Sequence, residues 1–154
     1  MALTKFTDLV EMLAAVGVPM QPDAAEQTLR GAIKSPPLET ELVLCWRDPL
    51  LSISCRVLAD VAVARLQAIE SAVCRANNGI AIPGFVIDYG AKAIHFKVTL
   101  LTVEGIEEAT LRTMMEATVD YARDFLPALV KIAAGEAMPE RLAELVEVTP
   151  PKTS

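Results

Sequence analysis

The sequence predicts one α+β domain in which helices pack on a single antiparallel β-sheet. The chain has 154 residues, which fits one domain whose core is large enough to need no disulfide or metal for stability. Its hydrophobic fraction of 53% argues against disorder. Segments with the hydrophobic period of a helix alternate with segments of period two, and no internal repeat is visible. The predicted order is α-β-β-β-α-β-β-α.

The first predicted element is an amphipathic helix over residues 4–16, which Gly17 ends. Its apolar side chains follow the i, i+3, i+4, i+7 spacing of one helix face, namely Phe6, Leu9, Val10 and Leu13. Residues 27–34 fit either a weak strand or a helical turn, and both interpretations stay open.

A β-hairpin is predicted between Glu41 and Leu58, with its turn at residues 47–50. Apolar and polar residues alternate along its second half, which indicates one buried and one solvated face. We expect Trp46 to lie opposite Leu51. That register places Cys45 and Cys55 on opposite faces, so no disulfide between them is expected.

A second helix is predicted over residues 60–79, with Asp60 as its N-cap and Asn77-Asn78-Gly79 at its end. Its apolar stripe consists of Val63, Leu66, Ile69, Val73 and Ala76. Two strands follow before Leu101, joined by a turn in which Gly90 is expected to adopt positive φ. Their core-facing side chains are predicted to be Phe85, Ile87, Ile94 and Phe96.

A long helix is predicted over residues 106–134, with a kink or break near Phe125 because Pro127 lies inside the pattern. The residues after Gly135 predict one or two helical turns, followed by a frayed tail. We therefore divide the chain into an α+β domain, residues 1–135, and a short helical turn with a C-terminal tail, residues 136–154.

Composition excludes several classes of function. The net charge of −6 disfavours nucleic-acid binding, because an acidic surface repels phosphate backbones. No apolar run approaches the length of a membrane span, and the N-terminal residues lack a signal-type pattern. The three cysteines are scattered and suit a reducing compartment. A cytoplasmic protein is expected.

No motif for catalysis, a cofactor or a metal occurs in the sequence. His95 is the only histidine, and no motif places a nucleophile near it. The glycines match neither phosphate-binding pattern, and one histidine with three dispersed cysteines lacks metal-ligand spacing. The sequence therefore predicts a protein that is not an enzyme and has no cofactor or metal.

The outer face of the predicted sheet, opposite the helices, suggests binding. Apolar side chains interrupt its polar positions, and such residues on a nominally solvated face can mark a partner surface. Scattered surface hydrophobes are also common, so both interpretations stay open. The candidate protein-binding residues are Val43, Cys45, Val86, His95 and Leu101.

Four stretches resemble the YbjN family of bacterial sensory transduction regulators, within the wider fold of type III secretion chaperones. They are LVEMLAAVGVPMQPD, ELVLCWRDPLLSISCRVL, VCRANNGIAIPGFVIDYGAKAIHFKVTLL and ATVDYARDFLPALVKIAAG. Family positions are matched by Asn77, Gly84, Phe85 and Pro127. The resemblance covers roughly residues 4–135 and implies a small, acidic, non-enzymatic and commonly dimeric domain. Chaperones of this fold bind extended segments on sheet and helix surfaces.

Three hypotheses for function follow. The first is a homodimeric, chaperone-like protein-binding module or regulator that binds a protein segment on its sheet and helix surface. The alternative is a small-molecule-sensing regulatory domain, with a pocket between the sheet and the last long helix lined by Phe96, Met114, Met115 and Phe125. The third is a thiol enzyme that uses Cys45.

Overall fold

A computed structural model describes residues 2–146, which form four helices and eight strands. The helices are α1 (Phe6–Ala15), α2 (Leu66–Gly79), α3 (Glu108–Ala133) and α4 (Leu142–Leu145). The strands are β1 (Ala2–Leu3), β2 (Gln21–Asp23), β3 (Thr28–Ser35), β4 (Leu38–Arg47), β5 (Leu50–Leu58), β6 (Phe85–Asp88), β7 (Ala93–Leu101) and β8 (Ile106–Glu107).

Six strands form one antiparallel sheet in the order β2-β3-β4-β5-β7-β6, while β1 and β8 form a separate two-stranded ribbon. The predicted α+β class is confirmed. Of the ambiguous residues 27–34, residues 28–34 lie within β3, where pairing with β4 runs from Thr28 opposite Cys45 to Ser35 opposite Leu38.

The hairpin of β4 and β5 has the predicted register, with Trp46 opposite Leu51. Two hydrogen bonds to the Asp48 side chain stabilise its turn. The Asp48 carboxylate accepts hydrogen bonds from Trp46 Nε1 at 3.0 Å and from Thr102 Oγ1 at 2.8 Å. Since Thr102 follows β7 directly, the same carboxylate ties the hairpin turn to the end of its neighbouring strand.

The predicted start of the second helix is wrong. Asp60 has φ of 56° and caps no helix, and α2 begins at Leu66 after a 3-10 turn at Val63–Arg65. Val63 is 64% exposed, whereas Val61 is buried and donates its N–H to the Lys92 carbonyl. This distant backbone contact fixes the chain between β5 and α2, so the helix starts later than the local pattern predicts. The predicted end at Gly79 is confirmed.

The long helix does not break near Phe125, because α3 continues through Pro127. The kink that was the other expectation stays a prediction. A proline removes one backbone hydrogen bond from a helix. The residues that flank Pro127, Phe125, Ala128 and Leu129, are buried, and this packing holds both sides of the proline in one helix. On the same helix Arg123 pairs with Asp120, three residues earlier, at 3.2 Å.

The turn between β6 and β7 differs from prediction at Gly90, whose φ is not positive. Lys92 takes the positive φ, 52°, instead. The Asp88 side chain accepts the Ala91 N–H at 3.0 Å and so closes the turn locally. With this hydrogen bond available, the turn needs no glycine in the left-handed region at position 90.

The core lies between one face of the six-stranded sheet and the helices α2 and α3. Four aromatic rings meet in it. The ring centroids of Phe85 and Phe96 are 4.9 Å apart, those of Phe85 and Phe125 are 5.1 Å apart, and those of Phe96 and Tyr121 are 5.5 Å apart. We call this set the aromatic cluster.

After Gly135 the chain forms a 3-10 turn at Pro139–Arg141 and then α4, as predicted. Leu142 is buried against the core. The predicted tail lies outside the described residues, and the proposed boundary at residue 135 stays a prediction. None of the described helices is long and apolar enough to cross a membrane.

Candidate functional site

The outer face of the sheet, which points away from α2 and α3, carries a groove of about 780 Å³. Six of its lining residues define what we call the outer groove. They are Arg30 of β3, Glu41 and Val43 of β4, Ser54 and Arg56 of β5, and His95 of β7. The groove therefore spans the four middle strands of the sheet.

A bulge in β5 shapes one side of the outer groove. Arg56 lies opposite His95 and Leu58 lies opposite Ile94, so β5 holds one extra residue, Val57, against β7. Bulges bend a strand and increase its local twist. Val57 is buried on the core side, which leaves the Arg56 side chain on the groove side.

Charges on the β3 and β4 side of the groove are balanced. Arg30 pairs with Glu41 across the two strands at 2.9 Å, with both side chains about half exposed. The strand register also places Lys34 directly opposite Glu39. Exposed pairs of this kind add little stability. Each acid on this side of the groove faces a base.

Charges on the β5 and β7 side are not balanced. Arg56 lies opposite His95, and Ser54 lies opposite Lys97. Among residues 2–146, no acidic side chain lies within ion-pair distance of Arg56 or Lys97. This part of the groove therefore presents positive charge to solvent.

His95 is half-buried, and burial lowers its pKa below the ordinary value of 6.5. The neighbouring Arg56 lowers this pKa further, while Asp88 of β6 acts in the opposite direction. The ring is therefore mainly neutral near pH 7, when one nitrogen donates a hydrogen bond and the other accepts one. Ser54 lines the same groove, but in the described part of the chain no hydrogen bond joins it to His95.

The five residues predicted for protein binding all lie on the outer face, but they do not form one cluster. Val43 and His95 line the outer groove. Val86 lies opposite His95 on β6 and is partly exposed. Cys45 lies closer to the hairpin turn, where Arg47 Nε donates to its sulfur at 3.1 Å. Leu101 lies opposite Leu50 at the far end of the sheet and is 69% exposed.

Sequence reasoning missed Arg56, Arg30 and Glu41 as groove residues. Arg56 occupies a polar position of the alternating pattern in the hairpin, which is the only local signal it gives. Its position beside His95 depends on the pairing of β5 with β7, two strands separated by a helix and another strand. No local pattern in the sequence predicts that pairing.

The cysteines show different environments. All three are free thiols. Cys55 faces the core, and burial raises its pKa to about 12, so its reactive thiolate is strongly disfavoured. Cys45 is half-buried on the outer face, as the predicted register requires, and Cys74 is exposed on α2. The described residues contain no group of three or more potential metal ligands.

The space considered for a small-molecule pocket, between the sheet and α3, is occupied by the aromatic cluster. Phe96 is fully buried there, and Met114 and Met115 pack against the core. In the described structure Phe125 lines a separate cavity of about 240 Å³ that it shares with α2 and α4. Phe96 and the two methionines line neither this cavity nor the outer groove.

Part of each edge of the sheet is obstructed. Pro22 lies in the edge strand β2 and has no N–H to offer a further strand. On the opposite edge, Asn77 of α2 binds the backbone of β6. Its Oδ1 accepts the Phe85 N–H at 2.9 Å and the Gly84 N–H at 3.2 Å, and its Nδ2 donates to the Phe85 carbonyl at 2.9 Å.

Comparison with solved structures supports the fold. No family model matches the chain, and no curated protein matches it. The crystal structure of YbjN from E. coli, described as a candidate transcription regulator, superposes with a TM-score of 0.58 and 11% sequence identity. The match covers 97% of this chain and 100% of that chain. The resemblance to YbjN drawn from the sequence is thus confirmed as a resemblance of fold: this chain has the YbjN fold.

Proposed function

We propose that this chain is a non-enzymatic protein-binding module, chaperone-like or regulatory, that binds a segment of a partner protein in the outer groove. The observation that carries this proposal is that helices cover only one face of the sheet. The helices α2 and α3 bury one face, while the other face is concave and has the half-buried Val43 among polar walls. A groove with an apolar floor and polar rim suits an extended segment.

The sheet edges argue for binding across the face rather than along an edge. A segment that adds a strand needs a row of unpaired N–H and C=O groups. Pro22 and Asn77 interrupt such a row on the two edges. Side-chain contacts in the outer groove therefore supply the binding in this proposal.

Selection of binders from a displayed library of random peptides tests the proposal. Peptides enriched on the wild-type chain are measured by fluorescence polarisation against Ser54→Trp, which fills the groove. Thr113→Trp is the matched control, because Thr113 is exposed on α3 on the helical side of the sheet. Unfolding curves check that both variants fold.

We expect the enriched peptides to bind Thr113→Trp normally and Ser54→Trp at least about tenfold more weakly, the equivalent of about 1.4 kcal/mol. Failure to enrich any peptide contradicts the proposal. Equal binding to both tryptophan variants also contradicts it, because the peptides then bind elsewhere on the chain.

The homodimer implied by the resemblance and the expected cytoplasmic location stay predictions. Sedimentation velocity over a range of concentrations tests the dimer. An exposed apolar pair, Leu50 and Leu101, lies at the end of the outer face and is continued by Val103. These side chains are the first place to look for a contact between copies.

A further inference from the structure

We propose that the partner segment is acidic, and that one of its carboxylates binds between Arg56 and His95 in the outer groove. This inference rests on the proposed function and names the chemistry of the ligand. It depends on how charge is distributed over the outer face, since the two halves of the groove differ in their balance of acidic and basic side chains.

The half of the groove formed by β3 and β4 carries equal numbers of acidic and basic side chains. Glu41 pairs with Arg30, and Glu39 lies opposite Lys34. The half formed by β5 and β7 carries Arg56, and Lys97 lies next to the groove, opposite Ser54. Neither forms an ion pair with an acidic side chain in the described range. In a chain of net charge −6 this is a local positive site, and it is complementary to an acidic ligand.

Among the described residues, no acidic side chain forms an ion pair with His95. Arg56 faces it from β5 and Asp88 from β6, while Lys97 is on its own strand. The Asp88 carboxylate accepts the backbone N–H of Ala91, and among the described residues it forms no ion pair with Arg56 or His95. The imidazole and the guanidinium therefore both lack an anionic partner that contacts them.

A carboxylate in this position satisfies both groups. A guanidinium presents several N–H donors in one plane, which matches the two oxygens of a carboxylate. The same carboxylate accepts a hydrogen bond from His95. Two apolar side chains flank the site, Val43 in the groove and Val86 on the other side of His95. We expect an apolar residue close to the acid in the bound segment.

Binding of an acidic segment depends on pH in this arrangement. A bound carboxylate stabilises the imidazolium form, so it raises the pKa of His95 towards or above its ordinary value. By linkage, affinity increases as pH falls through the range in which His95 takes up its proton. The other charged side chains on this part of the outer face are Arg56, Lys97, Asp88, Arg30, Glu39 and Glu41.

The experiment uses the peptides enriched on the wild-type chain. In each, the acidic residue is replaced by its amide, and affinities are measured for wild type, Arg56→Gln and Arg112→Gln. Arg112 is an exposed arginine on α3 and controls for general attraction to acidic peptides. We expect about a tenfold loss from the amide or from Arg56→Gln, and no loss from Arg112→Gln.

Charge reversal gives a second measurement. Selection repeated on Arg56→Glu is expected to replace the acid in the enriched peptides by lysine or arginine. Because His95 is the only histidine, its NMR signal reports its pKa directly, and the acidic peptide is expected to raise that pKa.

Two outcomes separate this inference from the proposed function. If the peptides require an open groove at Ser54 but show no preference for acids and no response to Arg56→Glu, the inference is wrong and the proposed function stands. If no peptide binds in the groove, both are wrong.

Discussion

The two faces of β7 differ sharply in burial. Ile94 and Phe96 are 0% exposed and pack against the helices, while the residue between them, His95, lines the outer groove. One strand thus supplies both the core and the candidate site, because successive side chains point to opposite faces. It follows that stability and binding can be altered separately by changing adjacent residues.

The largest expected contrast is between Phe96→Ala and His95→Ala. Truncation of a fully buried phenylalanine removes apolar contacts and leaves a cavity, at a cost of about 3–5 kcal/mol in the free energy of unfolding. His95→Ala is expected to change that free energy by less than about 0.5 kcal/mol. Urea titration followed by circular dichroism measures both. Similar losses from the two variants would mean that the outer face also contributes to the core.

A second contrast is between two glycines on either side of the loop that leads into β6. A Cβ at Gly84 lies 2.8 Å from the Lys97 carbonyl oxygen and 2.9 Å from the Phe96 ring, whereas a Cβ at Gly79 meets nothing within 4 Å. We expect Gly84→Ala to destabilise the fold by about 1–3 kcal/mol through overpacking. Gly79→Ala serves as the control, and an equal effect of both would contradict the close packing at Gly84.

Asn77 and Asn78 offer a third contrast, at the end of α2. Asn77 makes three hydrogen bonds to the backbone of residues 84 and 85, while Asn78 contacts only the Cys74 sulfur at 3.9 Å. Asn77→Ala is expected to cost about 1–2 kcal/mol, because it leaves half-buried backbone groups unsatisfied. Thermal unfolding of the two alanine variants measures the difference. If Asn78→Ala cost as much, helix termination rather than the contact with β6 would explain the effect.

The smallest expected effect is a dependence of stability on pH. The pKa of His95 in the folded chain lies below its ordinary value, because of burial and of Arg56, so the unfolded chain binds this proton more tightly. The free energy of unfolding should therefore decrease as pH falls through about 6.5. His95→Gln should reduce this slope, which denaturation between about pH 5 and pH 8 measures. An unchanged slope would mean that the pKa of His95 is not lowered by folding.

The features predicted correctly from the sequence are those that depend on residues close together in the chain. A short turn fixes the pairing of its two strands, so Trp46 opposite Leu51 follows from the hairpin pattern alone. The end of α2 follows from Asn77-Asn78-Gly79 in the same way. Period-two alternation likewise placed His95 on the face opposite Phe96.

The errors arise where distant residues decide the structure. The backbone bond from Val61 to Lys92 delays the start of α2, and packing on both sides of Pro127 keeps α3 continuous. The groove was missed for the same reason. The alternating pattern places Val43 and His95 on the outer face. Arg56 lies beside His95 only because β5 pairs with β7, which the local sequence does not predict.

The contacts of Asn77 with β6 have a consequence for how this protein behaves at high concentration. A sheet with an open face tends to recruit other sheets, and growth into a fibre requires strands to add at an edge. Here a side-chain amide occupies the main-chain groups of Phe85, and Pro22 interrupts the other edge. The molecule can therefore keep a face available to other chains while the addition of a strand is hindered at Phe85 and at Pro22.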